Sequence, residues 1–128
     1  MKHSSNIILL VLLAAFLVTV PVFCQTATPP QKTKELTDLG KKSFDQNCAT
    51  CHGANGNADT PAGKAITPHP PDLTMELKDW PGTKGDPAKL FDVVTKGVSD
   101  TAMMGWSQLP EKERWGLVYY IMGFAKAK

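Results

Sequence analysis

At 128 residues, with 42% hydrophobic and 20% charged positions, the chain has the size and composition of one globular domain behind a leader. Its formal net charge is only +2, from 14 basic and 12 acidic residues, and no basic run exceeds Lys41-Lys42. That balance excludes a phosphate-tracking surface, so nucleic acid is set aside as a partner.

The chain opens on a short polar stretch, Met1 to Asn6, followed by an apolar run of 17 residues from Ile7 to Phe23. The run sits at the lower edge of a membrane span and is slightly long for a signal-peptide core. From Gln25 the sequence turns polar and proline-rich, like the start of a mature chain. Residues 1–24 are therefore expected to be a signal peptide cleaved after Cys24. An uncleaved anchor and a lipid-bearing Cys24 are the alternatives, and either would tether the protein to a membrane through its N-terminus. In every case the bulk of the chain is exported, to the periplasm or another extracytoplasmic space. Residues 25–34 are expected to form a flexible segment and residues 35–128 the single folded domain. Loss of Lys2 with the leader brings the net charge to +1.

From about Thr33 to Gln46, Leu36, Leu39, Gly40 and Phe44 recur at helical spacing, and this helix runs into the motif Cys48-Ala49-Thr50-Cys51-His52. Residues 53–85 hold five prolines and five glycines, which leaves room for one or two helical turns around Thr74 to Trp80. A second helix opens at Asp86-Pro87, with a capping carboxylate and a proline at the first helical position. Leu90, Phe91, Val93 and Val94 form its apolar face and Gly97 ends it. A third opens at Pro110 without a good cap, because Leu109 precedes the proline. Its apolar positions are Trp115, Leu117, Val118, Ile121, Met122 and Ala125. No alternating strand pattern competes, so the expected class is all-α. Three helices make a thin core for such a long connection, which suggests that residues 53–85 wrap something large and apolar.

The motif Cys48-Ala49-Thr50-Cys51-His52 admits several chemistries. A thioredoxin-type dithiol would sit at a helix start beside a βαβ pattern, and here the pair follows a helix with no strand nearby. Zinc needs four ligands, and His69 is the only further soft ligand unless Cys24 survives. A structural disulfide would leave the adjacent histidine without a role. C-x-x-C-H as a haem attachment site uses every member, with two thioether bonds and an imidazole for the iron.

Four stretches, "GKKSFDQNCATCHGANG", "PPDL", "GVSDTAMMGW" and "LPEKERWGLVYYI", give the chain from about Leu36 onward its resemblance to class I c-type cytochromes of the bacterial monohaem kind. The resemblance implies a cytochrome c-like fold around one haem c held covalently through Cys48 and Cys51, with His52 as the proximal ligand. It further implies that the Pro71 carbonyl accepts the proximal imidazole N–H, with Pro70 as the near alternative; such a bond orients the ring and raises its basicity. Gly40 and Phe44 match positions where the first helix crosses the last, against Leu117 and Tyr120.

The distal ligand departs from the family pattern of methionine followed by proline. Aligned on Thr101-Ala102, Met103 takes the ligand position and Met104 replaces the proline, so a looser backbone is expected there. Met75 and His69 are the less favoured ligands. Iron held by His52 and Met103 has no open position, which implies a one-electron carrier rather than an enzyme, working between redox protein partners in a respiratory or other redox chain. A haem-bearing subunit of a larger oxidoreductase is the runner-up, and a catalytic or gas-sensing haem protein the third possibility. Ala102, Met104, Gly105 and Trp106 are the expected apolar contact surface, with Trp106 as a packing residue the plainer alternative.

Overall fold

The computed structural model describes residues 28–126. The expected signal peptide, residues 1–24, lies outside them. Thr33 caps the first helix, its hydroxyl accepting the Leu36 N–H at 3.2 Å, and α1 spans Lys34–Asn47. Such a cap contributes about 1 kcal/mol to the helix. The chain bends at Cys48 and makes one further turn, α2, over Ala49–His52. A short helix that the sequence reading did not anticipate, α3, covers Pro61–Ala65, with the Thr60 hydroxyl accepting the Gly63 N–H at 2.8 Å. A single 3-10 turn, Leu77–Asp79, falls within the stretch expected to be helical around Thr74 to Trp80.

The next helix, α4, spans Pro87–Lys96 and is built as its ends suggest. The Asp86 carboxylate accepts the Ala88 and Lys89 N–H groups at 2.8 and 3.1 Å, and Gly97 closes the helix at φ 76°. Helix α5, Glu111–Met122, starts at Pro110 with no side-chain cap, and stops short of Ala125. Among the described residues the only strand-like pairing is an isolated antiparallel bridge between Gly97 and Met104. The molecule is all-α.

Helices α1 and α5 cross at two glycines. A Cβ on Gly40 would lie 1.9 Å from the Gly116 carbonyl oxygen, and one on Gly116 would lie 2.5 Å from the Leu36 carbonyl oxygen. The backbones therefore touch, and no side chain fits between them. Around this crossing Phe44 and Leu117 are wholly buried, and the Phe44 ring meets Tyr120 edge-on at 5.4 Å and Phe124 at 5.2 Å. The Gly40 and Phe44 contacts agree with the crossing the resemblance implies, and Gly116 is the partner that was missed. Helix α4 joins through Phe91, stacked on Trp115 at 4.3 Å.

The connection from residue 53 to 85 is better ordered than its prolines suggest. It sends Leu73 and Trp80 into the same apolar cluster as α1, α4 and α5. The Leu73 N–H donates to the Gly56 carbonyl at 2.8 Å, and the Lys126 N–H to the Thr74 carbonyl at 3.1 Å. The Trp80 indole N–H reaches the Met75 carbonyl at 3.3 Å. Exposed ion pairs such as Lys34–Asp38 and Lys41–Asp45 line the outer face of α1 and contribute little to stability.

Candidate functional site

The site grows out of the end of α1. The Cys48 N–H donates to the carbonyl of buried Phe44 at 2.9 Å, so the helix core fixes where the motif begins. Within α2 the Cys51 and His52 N–H groups both donate to the Cys48 carbonyl, at 3.1 and 2.9 Å. All three reactive side chains thus project from a single turn. Residues beyond the motif lock that turn from behind. The Thr60 hydroxyl donates to the Cys51 carbonyl at 3.2 Å, and the Ala58 N–H to the His52 carbonyl at 2.8 Å. Helix α3 lies against the Cys51 carbonyl, since a Cβ on Gly63 would come within 2.6 Å of its oxygen.

Cys48 and Cys51 are free thiols, both half-buried. Burial, and secondarily the neighbouring Cys51, pushes the Cys48 thiol up to about 11. A redox dithiol requires the opposite shift, toward a stabilised thiolate. Zinc fares no better, because the described residues contain no group of three or more His, Cys, Asp or Glu side chains placed to hold a metal ion. Burial lowers the His52 pKa and so favours the neutral imidazole, the form that ligates metals. Its Nδ1 is buried with no hydrogen-bond partner. Two half-buried cysteines, with the Cys48 thiol held protonated, beside a half-buried imidazole of lowered pKa fit covalent haem c, where both sulfurs would become thioethers and the ring would serve as ligand.

The hydrogen bond expected from His52 to the Pro71 carbonyl is not made in this structure, since Nδ1 has no partner. The segment that carries Pro71 is nevertheless tied to the turn after the motif, through the Leu73–Gly56 bond. Pro70 is buried and Pro71 exposed. His69 is exposed, and its Nδ1 lies 2.8 Å from the Gly63 carbonyl, an arrangement that suits a loop histidine donating to backbone. Met75 is half-buried against the core cluster.

Met103 lies in the loop between α4 and α5, residues 97–106, and this loop is well pinned. The Val98 N–H donates to the Met103 carbonyl at 3.0 Å, and the Trp106 N–H to the Val94 carbonyl at 2.9 Å. The Thr101 hydroxyl accepts the Met103 N–H at 3.1 Å and donates to the Val98 carbonyl at 2.8 Å. Gly97 and Gly105 let the two stems pass in backbone contact; a Cβ on Gly97 would lie 2.4 Å from the Met103 carbonyl oxygen, and one on Gly105 2.6 Å from that of Thr95. These ties, rather than a proline, hold the backbone where Met104 stands. Met103 is half-buried, whereas Met104 is 63% exposed. Ala102 is exposed and Trp106 half-buried, so the expected contact surface is partly solvent-facing and partly packed.

Residues 26–121 match the family model described as cytochrome c oxidase, cbb3-type, subunit III. The fold is similar to a chain of the reducing HAO-like protein complex of Kuenenia stuttgartiensis, with a TM-score of 0.71 and 25% identity over 79% of this chain and 49% of that one. It is also similar to cytochrome cL of the marine methylotroph Methylophaga aminisulfidivorans, with a TM-score of 0.54 and 18% identity over 70% of this chain and 55% of that one. The chain thus spans about half the length of each of these structures. No curated protein is significantly similar in sequence.

Proposed function

Because the chain belongs to the cytochrome c oxidase, cbb3-type, subunit III family of c-type cytochrome domains, we propose that it is a monohaem one-electron carrier working between redox proteins outside the cytoplasm. Cys48 and Cys51 would hold the macrocycle through thioethers, and His52 and Met103 would ligate its iron. The observation that carries this reading is the turn Cys48–His52, which brings two half-buried cysteines and a half-buried imidazole with a buried, unpartnered Nδ1 onto one short helix. When bound, haem c supplies a one-electron couple at its iron, with a soft thioether ligand favouring the ferrous state.

The chain's own residues do the rest. Phe44 and the Thr60–Gly63 turn fix the backbone of the motif from both sides, so the turn that carries the imidazole is held in place. The pinned 97–106 loop presents Met103. With His52 and Met103 both committed to the iron, no position would be left for a substrate, and the protein would carry electrons without transforming one. The Pro71 carbonyl is our candidate acceptor for His52 Nδ1, supported by the Leu73–Gly56 tie beside it. Residues 1–24 act as the export signal and, if retained, as a membrane tether. No helix among the described residues is long and apolar enough to cross a membrane.

A second reading, as the haem-bearing subunit of a larger oxidoreductase, is favoured by two findings. The family is described as an oxidase subunit, and the fold matches half of a chain from a multi-protein complex. Copurification from native membrane and periplasmic fractions separates the two, since a persistent partner marks a subunit. The carrier reading itself is tested by mixing the ferrous protein with carbon monoxide. Slow or negligible binding is expected, and rapid binding would reject a six-coordinate carrier.

A further inference from the structure

The two stems of the Met103 loop are joined by a side chain outside both the attachment motif and the loop itself. Arg114, half-buried in the first turns of α5, donates from Nε to the Leu109 carbonyl at 3.1 Å and from Nη1 to the Thr95 hydroxyl at 2.6 Å. Thr95 lies in the last turn of α4, just before Gly97 opens the loop. Leu109 lies just past the loop's other end, and its N–H donates to the Trp106 carbonyl at 3.0 Å. The same guanidinium sits over the Phe91 ring at 4.8 Å, and that ring is stacked on Trp115. One planar cation therefore touches the end of α4, the entry to α5 and the aromatic contact between them.

This placement matters because the stems meet at the same level. Gly105 passes against the Thr95 carbonyl, and the Trp106 N–H bonds the Val94 carbonyl. Moving the Met103 backbone away from the stems would break the Val98–Met103 and Trp106–Val94 bonds. A guanidinium fork holds two acceptors at once, and its charge strengthens each bond. Lysine offers a single point and cannot span both.

We infer that Arg114 is a positioning residue for Met103: by tying Thr95 to Leu109 it keeps the loop stems together and sets how readily the methionine leaves its place. The inference rests on the assignment of Met103 as distal ligand. Its test uses the haem-loaded protein with Arg114→Gln, Arg114→Lys and Thr95→Val. Val118→Ala serves as a destabilising change in the α5 core, one turn past Arg114 and with no part in the loop's hydrogen bonds, and Met103→Ala as the ligand control. Two quantities are read: amide hydrogen exchange at Val98 and Trp106, and the rate of imidazole binding to the ferric protein. Arg114→Gln is expected to raise both roughly tenfold, the scale of losing one charge-assisted hydrogen bond. Arg114→Lys and Thr95→Val should fall between it and the parent, while Val118→Ala leaves both within about twofold despite its lower melting temperature, because its side chain makes none of the hydrogen bonds that tie the loop stems. If Arg114→Gln does not accumulate, Thr95→Val carries the same comparison. Unchanged exchange in the Arg114 and Thr95 variants, or an equal rise in Val118→Ala, overturns the inference. Failure of the ligand assignment shows separately: Met103→Ala would then keep the parent spectrum and slow imidazole binding, while amide exchange still reports on the brace.

Discussion

The crossing of α1 and α5 and the turn Cys48–His52 are separated by a few residues of one helix, yet they are built on opposite terms. At the crossing, backbone meets backbone at Gly40 and Gly116, and Phe44, Leu117 and Val118 are shielded from water. Shape complementarity among apolar groups accounts for nearly everything there, with the Trp115 indole N–H the one buried donor left unpaired. Four residues past Phe44 the side chains are thiols and an imidazole, half-buried, with a ring nitrogen sealed away from any partner. Binding groups of this kind are costly to bury without a partner, and the close-packed crossing beside them holds the helix from which they project. The packed region supplies the stiffness that the reactive region uses.

The largest break in that contrast comes from removing the thiols. Cys48→Ser with Cys51→Ser should abolish covalent haem retention, read as the mass of the denatured protein, and should leave little folded chain. A compact, protease-resistant apoprotein would mean that the α1, α4 and α5 cluster sustains the domain by itself. Next in size is Gly40→Ala, whose methyl would meet the Gly116 carbonyl well inside van der Waals distance. Overpacking against backbone is expected to cost about 3 kcal/mol or more in denaturant unfolding, with a normal spectrum in whatever fraction still folds. A loss below about 1 kcal/mol would show that the helices can slide apart cheaply. Phe44→Ala should cost about 3–5 kcal/mol, because it removes a wholly buried ring that packs against Tyr120 and Phe124. The smallest effect belongs to the exposed face of the methionine loop. Met104→Ser should change stability by less than about 0.5 kcal/mol while slowing electron transfer to the native partner, with weak salt dependence. Trp106→Ala distinguishes packing from docking: a large stability loss assigns that side chain to packing.

How far the sequence revealed these two regions differs for physical reasons. The helix α4 was readable at both ends, because Asp86-Pro87 and Gly97 are local signals that act through backbone geometry. The attachment motif was readable because all its members are adjacent in sequence. Met103 was named only through resemblance, since a methionine in a loop carries no periodicity. Gly116 was missed because a glycine inside an apolar helical stripe looks like a defect, costing about 1 kcal/mol against alanine, until a crossing helix explains it. Arg114 was missed because an arginine on a helix usually reads as a solvated face. The short α3 had a usable signal, Thr60 followed by a first-turn proline, but five residues are too few for periodicity to register. The expectation of a looser loop weighed the missing proline and left out the paired glycines and the Thr101 hydroxyl, which also tie this backbone.

The account stands most directly on the ferric absorption spectrum of two neighbouring variants of the haem-loaded protein. Met103→Ala should abolish the weak iron–sulfur charge-transfer band, and Met104→Ala should preserve it. The reverse pattern would place the ligand one residue later, on the exposed side chain. Retention of the band in both variants would contradict the His52–Met103 pair on which the proposed function depends.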